Sequence, residues 1–218
     1  MRLIFATNNI HKLDEIKDIL GDKYKDSIYT MSELGINVNP DETGNSFDEN
    51  AYIKANALYL EMKKNNLIRK NDFIISDDTG LCIEYLNGAP GIYSARFMGN
   101  ISQEEKNNEI LKLLKDIDDD KRGAYFITAL SVIEVIDIEK EPKILSFDGK
   151  INGYIAKSIE KTDGFGYDPI FAVGNICDMV NGDVKTYSNI GISQKNRISH
   201  RARALSKFVE YLAKNHNI

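Results

Sequence analysis

Asp77 and Asp78 stand side by side in Ile74-Ile75-Ser76-Asp77-Asp78-Thr79-Gly80-Leu81, at the end of an apolar run of β type. Adjacent like charges each disfavour ionisation of the other. The usual relief is a cation, and paired carboxylate oxygens suit a divalent one. The residue types predict a strand from near Phe73, an acidic tip, a sharp turn at Thr79-Gly80 and a second strand from Leu81. The structural alternative is a turn in which Asp is favoured for its side-chain hydrogen bonds to backbone.

Three other stretches carry chemistry. Asn39-Pro40-Asp41-Glu42-Thr43-Gly44-Asn45 is a second acidic loop, ahead of a helix. Asp163-Gly164-Phe165-Gly166-Tyr167-Asp168-Pro169 sets aromatics between glycines, an arrangement that can offer a ring flat to a flat partner such as a nucleobase. Lys195, Arg197, His200, Arg201 and Arg203 concentrate positive charge near the start of the last helix, against the preference of the helix dipole. Lys12 has the same unfavourable position in the first helix, where an anion such as phosphate bound beside it would be a gain.

These residues need elements to hold them. Leu3 to Ala6 reads as a buried strand that hands over through Thr7-Asn8-Asn9 to a helix with Ile10, Leu13, Ile16, Ile19 and Leu20 at helical spacing. Ile28 to Met31 is a second strand. Ser46 with Glu49 and Ser102 with Glu105 predict capping boxes for helices reaching about Asn65 and Leu114. Ala124 to Ile138 and Lys143 to Ile159 read as a long hairpin turning at Glu139–Pro142. Gly88-Ala89-Pro90-Gly91, followed by Ile92 to Phe97 with Arg96 among apolar neighbours, is a constrained backbone of the kind that approaches something closely. No Walker-type glycine loop occurs, which argues against a P-loop enzyme.

The 218 residues are 42% hydrophobic and 28% charged, as in ordinary globular proteins. A net charge of −5 gives no bulk attraction for nucleic acid. Cys82 and Cys177 read as small buried hydrophobes rather than a disulfide framework. No apolar run approaches the ~18 residues of a membrane span, and the expected location is the cytoplasm. No repeat or linker divides the chain, so residues 1–218 are expected to form one domain.

In order along nearly the whole chain, Thr7-Asn8-Asn9-Ile10-His11-Lys12, Asp41-Glu42-Thr43-Gly44 with Glu49-Asn50-Ala51 and Lys54-Ala55, Ser76 to Leu81, Gly88 to Arg96, Phe165 to Pro169 and Ser199-His200-Arg201-Ala202 resemble the motifs of the Ham1/RdgB family. These are the inosine triphosphate pyrophosphatases. Asn8 stands where Gly is frequent, and Tyr187 to Gln194 departs from a more acidic, helix-forming segment. The resemblance implies an α/β fold with an elongated mixed β-sheet, flanking helices and two lobes around a central cleft, usually in a homodimer. It implies Mg²⁺-assisted hydrolysis of non-canonical purine nucleoside triphosphates (ITP, dITP, XTP) to monophosphate and pyrophosphate, with no nucleic-acid or membrane partner. It places Thr7, Asn8, Asn9, Ile10, His11, Lys12 and Lys54 around the phosphates. Glu42 and Asp78 hold the metal with Thr79 beside them, and Asp77 supports them. Arg96 joins the substrate-binding set. Phe165, Gly166, Tyr167, Asp168, Lys195, His200 and Arg201 surround base and sugar. Asp78 is expected to accept the proton of the attacking water, with Lys12 assisting catalysis. The weighed alternatives are a Maf-like pyrophosphatase of other modified nucleotides, a nucleotide-binding regulator without catalysis and a nucleic-acid-binding protein.

Overall fold

The computed structural model describes residues 1–159, 164–174 and 184–216. Asp163 and Cys177 lie outside the described residues. Six strands form one mixed sheet in the order β2-β1-β3-β4-β5-β6: β1 (Arg2–Phe5), β2 (Ile28–Thr30), β3 (Asp72–Ile83), β4 (Gly123–Val135), β5 (Lys143–Ile155) and β6 (Phe171–Val173). β1 pairs in parallel with β2 and β3, and β5 pairs antiparallel with β6. The helices are α1 (Ile10–Leu20), α2 (Phe47–Lys64), α3 (Gln103–Leu113), α4 (Tyr187–Ile190), α5 (Ile192–Ile198) and α6 (His200–His216).

The expected turn at Thr79-Gly80 is absent: β3 runs unbroken through both aspartates. In a strand, neighbouring side chains point to opposite faces. The repulsion that made two adjacent carboxylates costly is therefore relieved by separation across the sheet, and no turn is needed. The segment from Tyr187 to Gln194 forms α4 and the start of α5, broken at Gly191, whose φ of 78° is left-handed.

The chain divides into two compact units. Unit 1 comprises Met1–Asp78, Thr128–Gly149 and Arg201–Ile218. Alternation along its strands builds two cores. Leu3, Phe5, Phe73 and Ile75 face one way and pack with Ile16 and Leu20 of α1 and Leu205, Phe208 and Leu212 of α6. Ile4, Ala6 and Ile74 face the other way and pack with Ala55, Leu58 and Met62 of α2. Each such fully buried large apolar side chain stabilises by roughly 1.5–3 kcal/mol.

Unit 2 comprises Thr79–Ile127 and Lys150–His200. Leu81, Ile83, Phe126, Ile155 and Phe171 supply its core, with Ile110 and Leu114 from α3 and its C-cap. The capping box of α3 is complete: Ser102 Oγ accepts from the Glu105 N–H, and Glu105 returns a carboxylate to the Ser102 N–H. That of α2 is incomplete. Ser46 Oγ accepts from the Glu49 N–H, but the Glu49 carboxylate takes the Asn45 N–H instead. Arg122, wholly inside this unit, donates to the carbonyls of Leu114, Ile155 and Ala156, which replaces the water its guanidinium loses.

Candidate active site

In unit 1 the parity of β3 assigns each aspartate its helices. Asp77 continues the face of Phe73 and Ile75, covered by α1 and α6; Asp78 continues the face of Ile74, covered by α2. Asp77 Oδ2 lies 3.1 Å from Lys12 Nζ on α1 and accepts from Arg201 Nη2 on α6 at 3.1 Å. Arg201 is held from behind by a second buried ion pair, to Glu15. On the other face Lys54 Nζ donates to Asp78 Oδ1 at 3.2 Å and to Glu42 Oε1 at 2.8 Å.

Asn50 ties the acidic loop to this group. Its Nδ2 reaches Asp78 Oδ2 at 3.4 Å, and its Oδ1 accepts from the Gly44 N–H at 2.9 Å. A Cβ on Gly44 would come within 2.7 Å of both Asn50 Oδ1 and Glu49 Cβ, so glycine is what lets the loop lie against α2. At the start of α1, Asn9 caps the helix by accepting from the Lys12 N–H, and Thr7 Oγ1 accepts from the Asn9 N–H. Asn8, Ile10 and His11 are exposed there.

Burial and neighbouring charge compete over how these groups ionise. Burial pushes the Asp77 carboxyl up, but Lys12, Arg201 and Lys54 together outweigh it and hold the group well below the usual carboxylate range. Burial pushes Asp78 up, with Glu42 adding to the rise and Lys54 and Lys12 opposing it. Burial lowers the Lys12 ammonium, against the pull of Asp77. It also acts to lower Lys54, where Asp78, Asp77 and Glu42 prevail and hold it above its ordinary value.

Glu42 and Asp78 share one ammonium, so the fold already directs two carboxylates at one cation, the donor set of a hard divalent ion that keeps some of its waters. Asp77 is not part of that pair: it faces away, toward Lys12 and Arg201. No group of three or more His, Cys, Asp or Glu able to hold a metal occurs among the described residues.

Unit 2 positions the aromatic stretch. Asp168 Oδ2 accepts from Lys195 Nζ at 2.6 Å and from the Phe165 N–H at 2.8 Å, and both charged side chains are buried. Gly164 and Gly166 flank Phe165 with φ of 123° and 64°, a backbone that L side chains rarely adopt. Phe165 is 36% exposed, whereas Tyr167 is buried, and its hydroxyl donates to the Ser94 carbonyl. Burial pushes that phenol up to about 12. His200 is buried and stacks on Phe126, with centroids 4.6 Å apart. Arg96 is exposed over the Tyr93 ring, and Thr79 is half-buried.

The expected phosphate and metal groups Lys12, Lys54, Glu42 and Asp78 thus gather in unit 1, and Phe165, Gly166, Tyr167, Asp168, Lys195 and His200 in unit 2. Arg201, expected at the base end, has its guanidinium on Glu15 and Asp77. Sequence analysis missed Glu15 and gave Asn50 no role beyond its place in the second motif. The available signals were an acid one turn after Lys12 on α1 and an Asn beside the α2 cap.

Fold and site together define an α/β protein whose mixed sheet carries a buried group of alternating carboxylates and cations. The model of the Ham1 family matches residues 3–211. A protein of Thermoanaerobacter pseudethanolicus named dITP/XTP pyrophosphatase is 43% identical over 215 residues, 98% of either chain. One of that name from Clostridium perfringens is 41% identical, covering 97% of each. The solved structure of the Staphylococcus aureus Ham1 protein superposes with a TM-score of 0.76 at 33% identity, covering 98% of this chain and 99% of that one. The chain belongs to the Ham1 family. No helix among its described residues is long and apolar enough to cross a membrane.

Proposed function

We propose that this protein is a nucleoside triphosphate pyrophosphatase that hydrolyses the non-canonical purine nucleotides dITP, ITP and XTP to the monophosphate and pyrophosphate. The observation that carries the reading is the charge group of unit 1, in which Lys12 and Lys54 lie on Asp77, Asp78 and Glu42 at the mouth of a capped helix. Full-length relatives bearing the name dITP/XTP pyrophosphatase support the substrate class.

Cleavage between the α- and β-phosphates requires neutralised charge, a positioned water and a stabilised leaving group. Lys12 and Lys54 supply the positive charge by exchanging their carboxylate partners for phosphate oxygens, beside the α1 N-terminus. When Lys12 leaves Asp77, Arg201 stays, anchored by Glu15, so the buried carboxylate keeps a counter-ion. Asp78 accepts the proton of the attacking water. Glu42 and Asp78 would hold Mg²⁺, which when bound offsets phosphate charge and lowers the pKa of a coordinated water.

The base stacks on Phe165. Lys195 and His200 provide donors that bond a 6-oxo group and oppose the 6-amino group of adenine; an unpaired buried donor makes such rejection large. We propose a homodimer in solution, for which light scattering gives the mass. The decisive assay is pyrophosphate release from ITP, dITP, XTP, ATP and GTP with and without Mg²⁺. The reading predicts release from the first three, loss of it without Mg²⁺ and far slower turnover of ATP and GTP; comparable rates on all five overturn the base account.

A further inference from the structure

Phe165 is an exposed ring on a backbone held from two sides. One side is the Asp168–Lys195 pair described above. The other is α3. Asn107, 3% exposed in the second turn of that helix, donates from Nδ2 to the Gly166 carbonyl at 3.2 Å. Its orientation is set by Gln103, one turn earlier, whose Nε2 donates to Asn107 Oδ1 at 3.2 Å. The neighbouring Lys106, also buried, donates to the Ala95 carbonyl at 2.6 Å, next to the Ser94 carbonyl that takes the Tyr167 hydroxyl. The capping box pins the end of α3 from which all three side chains project.

Gly166 is where this anchoring matters. Its left-handed φ costs glycine little, and a Cβ built there would meet nothing within 4 Å. The side-chain hydrogen bond on the Gly166 carbonyl comes from the Asn107 amide, which holds the Gly166–Tyr167 peptide from the α3 side. Phe165 is joined directly to this glycine, so a shift of the Gly166 backbone is passed to the residue that carries the ring.

We infer that Asn107, oriented by Gln103, is a positioning residue for the base: it aims the Phe165 ring as a pre-set stacking surface and touches no substrate itself. The inference rests on the proposed function. It locates base affinity partly in α3, outside every motif that carries the family resemblance.

The test measures pyrophosphate release from ITP by wild type, Asn107→Asp, Gln103→Ala, Phe165→Ala and the Asn107→Asp/Phe165→Ala double variant, with inorganic triphosphate as a base-free competitive inhibitor. Asn107→Asp keeps the shape but sets an acceptor against the Gly166 carbonyl. It is expected to raise the ITP KM about five- to tenfold, the worth of about one hydrogen bond. Its kcat and the inhibition constant of inorganic triphosphate should stay within about twofold of wild type on the same ground. Gln103→Ala, at a half-buried position whose amide also meets the Tyr167 hydroxyl, shifts KM the same way by about two- to fourfold. In the Phe165→Ala background the Asn107 substitution adds nothing, because the ring it aims is gone. An unchanged KM in both single variants, a parallel rise for inorganic triphosphate, or full additivity with Phe165→Ala overturns the inference. If Asn107→Asp does not fold, Gln103→Ala alone and with Phe165→Ala decides by the same criteria. A wild type that releases no pyrophosphate from ITP overturns the functional reading and this inference with it. An active wild type with indifferent variants overturns only the inference.

Discussion

The two units hold their functional side chains by different physics. In unit 1 the key groups are long cations on carboxylates: Lys12 on Asp77, Lys54 on Asp78 and Glu42, Arg201 on Glu15 and Asp77. The two lysines are exchangeable, because an ammonium that leaves a carboxylate for a phosphate keeps the same kind of bond, whereas Arg201 stays on Glu15 and Asp77. In unit 2 one buried ion pair, Lys195 on Asp168, is joined by left-handed glycines and by hydrogen bonds to carbonyls that carry no charge to exchange, with Asn107 on Gly166, Tyr167 on Ser94 and Lys106 on Ala95. Lys12 and Lys54 are thus placed to hand their charge over, whereas the backbone around Phe165 is set in advance.

The sharpest way to break that contrast is to strand a buried charge in unit 1. Arg201→Met leaves Glu15 and Asp77 without their shared guanidinium and is expected to destabilise the fold by about 3–5 kcal/mol in urea unfolding. Lys12→Met should cost much less stability, since Arg201 remains on Asp77. Equal losses in the two variants would mean that neither cation is the permanent partner.

Asp78→Asn comes next. It keeps the shape and the contact with Asn50 but removes the proton acceptor, and turnover of ITP should fall by about 100-fold or more. Retention of more than about a tenth of wild-type turnover would end the base role.

Unit 2 has a pH signature of its own. The Tyr167 phenol is pushed up to about 12 in the fold, against about 10 when unfolded. For a raised pKa the contribution is complete below the unfolded value and is lost as pH climbs through the folded one. Stability should therefore decline between about pH 10 and 12 by an extra 2–3 kcal/mol that Tyr167→Phe does not show. Parallel pH profiles for the two proteins would remove Tyr167 from the fixed framework.

The smallest effects separate the two glycines. Alanine at Gly166 meets open space and pays only for its left-handed backbone, roughly 1–2 kcal/mol. Alanine at Gly164 would also bring its Cβ to 2.7 Å from Ser188 Oγ and 2.9 Å from Asp168 Cβ, so thermal unfolding should show the larger loss there. The reverse order would mean that the Asp168 side is the looser of the two anchors.

Much of this arrangement was legible in the residues. Strand-to-helix handover at Thr7-Asn8-Asn9, the Ser102 capping box, the long β4 and β5 runs and the gathering of Lys54 with Glu42 and Asp78 follow from local patterns and ordered motifs, which depend on neighbours within a few positions. The turn drawn at Thr79-Gly80 did not survive, because a local reading sees two like charges side by side and cannot see that a sheet has two covered faces. The partners of Arg201 were not legible for a related reason. A basic residue at a helix start looks like an anion site until the buried acids of α1 and β3 are brought to it from 186 and 124 positions away.

The chemistry available here is written in the residues: adjacent acids, a lysine in the first turn of α1 and another on α2, an aromatic between glycines and the family they belong to. Only the tertiary structure decided the division of labour. Parity along β3 sends Asp77 to α1 and α6 and Asp78 to α2, so one carboxylate becomes the buried keeper of cations and the other shares Lys54 with Glu42. That outcome rests on which helix covers which face, a property of packing between distant segments that no short stretch of chain contains.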